Sequence, residues 1–234
     1  MASINSLQAT NYAVFIALLV FYEIIIIFTD MDKDIVAFIM FILFFCAQVG
    51  LSFSMSKTVN PEKDTLYHIK QGFKAATPVI FMLGSIYVIL MMFPGWLSVF
   101  SNTLGLAYIK MLGITTLLNG TKNESGLLNI DKESRFINMI YGNNMNFLNN
   151  YAPENIFDTN SHYETLLSLF KSGVFNPKIL NGGLSLNSVM NNDLTKQFTS
   201  LMKQKYYFSE LMWLLLIGLG FSVSTSILMI VNSS

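Results

Sequence analysis

The sequence predicts an all-α, polytopic transmembrane protein that carries a small helical region outside the bilayer. Three observations carry this expectation. The 234 residues are 53% hydrophobic and only 12% charged, about half the charge of an ordinary soluble domain. Apolar runs of bilayer-crossing length recur along the chain, and a bilayer accepts an isolated run of that kind only as a helix. Residues 119–208 break the pattern, with 16 Asn among 90 residues.

The first span covers 12–28 (YAVFIALLVFYEIIIIF). The N-terminus before it has no Lys or Arg, and Glu23 with four isoleucines stands where a signal-peptide cleavage site would fall. The segment is therefore expected to be retained. A short Asp-rich return leads into a second span at 35–56, and the pair reads as a helical hairpin. Residues 57–74 read as a polar loop with Lys57, Lys63, Lys70 and Lys74. A third span follows at 75–93, with Pro78 in its first turn, where a missing N–H is harmless. Pro94-Gly95-Trp96 stops it. Residues 97–118 are long enough to cross but contain Ser98, Ser101, Asn102, Thr103 and Lys110. An amphipathic or partly inserted helix is preferred there over a fifth crossing.

Residues 1–118 thus form a membrane region, 119–208 a polar helical region, and 209–234 a C-terminal span. Within 119–208, Asp131 caps one expected helix. Ser161 with Glu164 forms a capping box ahead of a second, which Gly173 stops. A third starts between Asn187 and Asp193, with Leu194, Phe198 and Leu201 on its apolar face, and runs on into the last span. Gly218, Gly220, Ser222, Ser224 and Ser226 give that span the small residues that let helices approach closely in lipid. The basic 57–74 stretch belongs on the cytosolic side. With four spans, residues 119–208 lie opposite it; with five, they join it. Asn119, Asn123 and Asn232 head glycosylation triplets, which also arise by chance in Asn-rich sequence.

Chemistry is sparse. Fourteen basic residues match fourteen acidic ones, which argues against a nucleic-acid partner. Cys46 is the only cysteine, and His68 and His162 are far apart in sequence, so no metal-ligand set can be composed. There is no nucleophile elbow, phosphate loop or dinucleotide fingerprint. Neither an enzyme nor a cofactor is expected. The two histidines read as loop or surface residues. Glu23, deep in the first span, is a candidate polar intramembrane site, with Lys110 as a possible counter-charge. The plainer reading has Glu23 reaching the interface or bonding a neighbouring helix.

The stretch FPGWLSVFSNTLG, 93–105, joins a helix stop, a tryptophan and a polar turn between aromatics. It resembles a Pro-Gly-Trp…Phe-Ser-Asn-Thr…Gly signature of a virion membrane protein family of the nucleocytoplasmic large DNA viruses, the chlorella-virus and iridovirus groups among them. The stretch 208–230 resembles that family's C-terminal span, with Ser209, Glu210, Trp213, Gly218, Ser222 and Ser224 at the matching positions. Leu104 departs from the pattern, standing where an aromatic is expected, and Leu106-Ala107 has diverged. The resemblance implies a structural protein of the inner virion membrane, on host endoplasmic-reticulum-derived membrane during assembly. It would anchor that bilayer to minor capsid or other virion membrane proteins. The docking residues would then be Pro94, Gly95, Trp96, Phe100, Ser101, Asn102, Thr103, Ser209, Glu210 and Trp213. The alternative is a small channel or transporter subunit, in which Glu23, Gln48 and Ser222 line a water-filled path.

Overall fold

A computed structural model describes residues 4–28, 33–121, 125–129, 143–151, 156 and 159–233. Among them there is no strand, only two isolated bridges, Gly120 with Ser125 and Leu128 with Phe175. The protein is all-helical and polytopic. Among the described residues, three helices are long and apolar enough to cross a bilayer: Ala9–Ile26, Ile35–Thr58 and Thr65–Leu90. The chain divides into two compact units, Met1–Phe93 with Leu211–Ser234, and Pro94–Glu210.

The first unit begins with α1 (Ile4–Phe28) and α2 (Lys33–Val59). Phe15 packs on Phe44, ring centroids 5.1 Å apart. Leu19 and Asn11 on α1 and Met40 and Gln48 on α2 are buried as well. α3 (Thr65–Met92) starts ten residues earlier than hydropathy indicates, because Asp64 caps it by accepting the Tyr67 N–H at 2.9 Å. Most of the expected 57–74 loop is therefore helix, and the link between α2 and α3 is residues 60–64. Pro78 consequently sits inside the helix and not in its first turn. Thr77 Oγ1 donates to the Phe73 carbonyl at 3.2 Å beside it. His68 is buried and not on the surface. Its Nε2 donates to the Lys63 carbonyl at 3.2 Å, and its Nδ1 is hydrogen-bonded to Ser56 Oγ at 2.8 Å. It thus ties the α2–α3 turn together.

The second unit opens with a 3-10 turn (Pro94–Trp96), α4 (Leu97–Phe100), a π-helical turn (Ser101–Gly105) and α5 (Leu106–Met111). Gly113, at φ 93°, ends that run before α6 (Ile114–Asn119). Residues 97–111 make roughly 22 Å of continuous helix at 1.5 Å per residue, short of about 30 Å of hydrocarbon. The 97–118 stretch therefore holds no continuous crossing helix.

The Asn-rich region is folded where it is described. α7 (Asn144–Asn150), α8 (Thr159–Lys171), a 3-10 turn (Pro177–Ile179) and α9 (Leu186–Asn191) precede α10 (Asp193–Ser233). Several asparagines act as caps. Asn143 accepts the Asn146 N–H, Asn176 that of Lys178, and Asn192 that of Thr195. These are the short acceptors that helix starts favour. The expected Asp131 helix lies outside the described residues. α8 begins at Thr159, so Ser161 is inside the helix and is not its cap; Gly173, at φ 79°, does follow the helix end. Phe147, Phe170, Phe175 and Phe198 form the core, Phe175 meeting the other three edge-on at 5.3–6.2 Å. α10 is a single 41-residue helix. Its buried face runs through Thr195, Phe198, Thr199, Met202, Lys205, Tyr206 and Ser209, while Leu194 and Leu201 are only half-buried.

Candidate functional site

The two stretches that the sequence marks as docking surfaces meet each other within the second unit. Along 97–109 the buried positions are Leu97, Ser101, Gly105, Leu106 and Ile109. A spacing of four drifts about 40° per step in a 3.6-residue helix. The wider π-turn absorbs that drift, and the face stays against α10. π-turns of this kind are rare and often serve a purpose.

Hydrogen bonds, one close backbone approach and one ring stack fix this packing. Ser209 Oγ donates to the Leu97 carbonyl at 2.5 Å. Lys205 Nζ donates to Asn102 Oδ1 at 3.2 Å and to the Leu148 carbonyl at 2.9 Å. Gly105 lies on the Lys205 backbone. Tyr108 stacks on Phe208 at 4.7 Å and 10°. Ser101 is fully buried and Glu210 nearly so. Of the expected docking residues, Ser101, Asn102, Ser209 and Glu210 thus serve internal cohesion. Gly95, Trp96 and Thr103 face outward, and Phe100 is half-buried. Pro94 belongs to the 3-10 turn, and its side chain lies outside the described residues. Trp213 is half-buried and falls in the first unit.

Behind Lys205 runs a buried chain of polar groups that the sequence does not announce. Thr199 Oγ1 donates to the Thr195 carbonyl at 2.7 Å, so it must accept from His162 Nε2 at 2.7 Å. His162 Nδ1 is then bare and accepts the Tyr151 hydroxyl proton at 3.0 Å. Tyr206 donates in turn to the Tyr151 carbonyl at 2.7 Å. Burial, with the Lys203 charge adding to it, pushes His162 down to about 4. Burial brings Lys205 down to about 8. Burial and the neighbouring Tyr206 raise the Tyr151 phenol. His162 is therefore a neutral core residue, not a surface one. The one available sequence signal was the recurrence of Thr195, Thr199, Lys205 and Ser209 on the face of α10 that also carries Phe198 and Met202.

In the first unit, Glu23 is buried on the α1 face that also carries Leu19 and Ile26. Asn11, Gln48 and Ser52 are buried too, and Asn11 Oδ1 and Nδ2, Gln48 Oε1 and Ser52 Oγ have no hydrogen-bond partner among the described residues. Glu23 stands twelve residues from Asn11, about 18 Å along the helix. Lys110 is exposed on α5 in the other unit. The Ser222 side chain lies outside the described residues.

No family model, curated protein or solved structure matches the chain.

Proposed function

We propose that the chain is a structural membrane protein whose spans anchor a compact helical head, and that the head holds partner proteins at the bilayer. The observation that carries this reading is the inward use of the head's polar groups. Lys205, His162, Tyr151, Thr199 and Ser209 bond to one another or to backbone within the unit. Such a network rigidifies a scaffold. The finer setting is the inner membrane of a large DNA virus, with minor capsid or other virion membrane proteins as partners. It rests on the resemblance of 93–105 and 208–230.

Fractionation of purified particles tests the proposal. The intact chain should remain in the particle membrane and cross-link to capsid proteins through exposed head lysines such as Lys171, Lys178 and Lys196. Absence from particles would reject the virion setting. Ion conductance by the reconstituted chain that is lost in Glu23→Gln would replace the structural reading with the channel.

A further inference from the structure

We infer that the outer face of the 96–112 run is a lipid-contact surface, lying in the headgroup and acyl boundary of the bilayer that the spans cross. The inference rests on the membrane reading of the spans and not on the virion setting. The inner face of this run is closed by α10. Its outer face carries Trp96, Val99, Leu104, Met111 and Leu112, all exposed, with Met111 86% exposed. The π-turn keeps these residues on one side, just as it keeps the buried set on the other. An exposed apolar strip of this length on a polar unit needs a cover.

Chain continuity identifies the cover. α3 carries exposed Phe81 and Val88 along a membrane span and exposed Met92 at its end. Only Phe93, also exposed, separates its end from the 3-10 turn. Apolar exposure thus continues along the chain from a lipid-facing helix into the strip, with no polar linker between. A tryptophan at the point of exit suits the interface. Lys110, exposed beside Met111, can lay its aliphatic stem along the apolar surface and hold its ammonium among phosphates.

Spin-label accessibility on the full chain tests this. Single cysteines replace Val99, Leu104 or Met111 in a Cys46→Ser background, since Cys46 is itself exposed on α2. The protein is reconstituted in phosphatidylcholine–phosphatidylglycerol vesicles. Leu43→Cys marks the span and Asn181→Cys marks a water-exposed turn of the head, both positions being exposed. All three test labels should collide with oxygen relative to a water-soluble nickel complex severalfold more than the label at 181. They should also lie shallower than the label at 43. Nickel collision rates matching position 181 would overturn the inference in favour of a solvent face. Labels immobilised and shielded from both reagents would overturn it in favour of a protein cover. A nickel-accessible label at position 43 would instead remove the membrane reading itself, and the inference with it.

Discussion

Gly105 lies against the backbone of Lys205 so closely that a Cβ on the glycine would stand 2.6 Å from the Lys205 carbonyl oxygen. The glycine's own torsions, φ −62° and ψ −40°, suit any residue. The contact therefore demands glycine, and the conformation does not. In an open helical site Gly→Ala would add up to about 1 kcal/mol of stability. Here Gly105→Ala must push two helices apart, and overpacking of that kind costs about 1–3 kcal/mol. Gly95→Ala, which meets open space, should stay within about 0.5 kcal/mol of wild type. Denaturant unfolding in detergent compares the two, and equal midpoints would rule out the close approach.

The neutral tautomer of His162 gives the head an acid limit. Its value falls from 6.5 free to about 4 folded, so the unfolded chain binds the extra proton first. Stability is full above about 6.5 and is lost as pH falls toward 4, by about 3 kcal/mol at the end of that window. Thermal unfolding followed from pH 7 to 4.5 should show a falling midpoint. His162→Gln retains a donor and an acceptor and should flatten most of that slope, even if it starts lower at pH 7. A slope unchanged in the variant would assign the acid sensitivity elsewhere.

Apolar runs announced α1, α2 and most of α3, because burial in lipid needs only composition. They missed the first ten residues of α3, where Lys70 and Lys74 lower hydropathy while the Asp64 cap starts the helix. The four-residue recurrence of Leu97, Ser101, Gly105 and Ile109 was readable as one buried face, but its need for a π-turn was not. Lys205 meets Asn102 across 103 positions and His162 meets Thr199 across 37. No local pattern encodes pairings at that distance, so polar side chains read as surface proved to be core. The motif stretches stand out by polar residues set among aromatics. Their conspicuous polar residues mark where the head closes on itself, and the exposed apolar strip beside them is the surface left for other molecules.

Lys205 sets a second pH dependence, of the same sign and in a different window. Its folded value is about 8 against 10.5 free. Between those values the unfolded chain holds more protons, so stability should rise with pH from 8 to about 10.5, by up to about 3 kcal/mol. The neutral amine keeps two N–H donors, enough for both Asn102 Oδ1 and the Leu148 carbonyl. Deprotonation therefore relieves the buried charge without losing a bond. Lys205→Met removes the charge together with both donors; Asn102 Oδ1 still accepts from Ser101 Oγ at 3.4 Å, but the buried Leu148 carbonyl loses its Lys205 donor, which costs about 1–3 kcal/mol. The variant should be less stable than wild type at pH 10 and should show no gain between pH 8 and 10. A gain that persists in the methionine variant would point to a different titrating group.

Within the first unit, Gly218 on α10 faces the ring of Phe15, and a Cβ there would run into it. Phe15 is fully buried and also packs on Phe44, so the ring has little freedom to turn away. Small residues earn their place in membrane helices by permitting this approach. Gly218→Ala should therefore loosen the α10–α1 contact, and Phe15→Ala should cost about 3–5 kcal/mol through the cavity it leaves. The two changes are not independent. With the ring gone, the added methyl has room, so the double variant should be more stable than the sum of the singles predicts, by about 0.5–3 kcal/mol of coupling. Unfolding of the four proteins in one detergent at one pH measures that term. Strict additivity would mean that Gly218 and Phe15 do not touch in the folded protein.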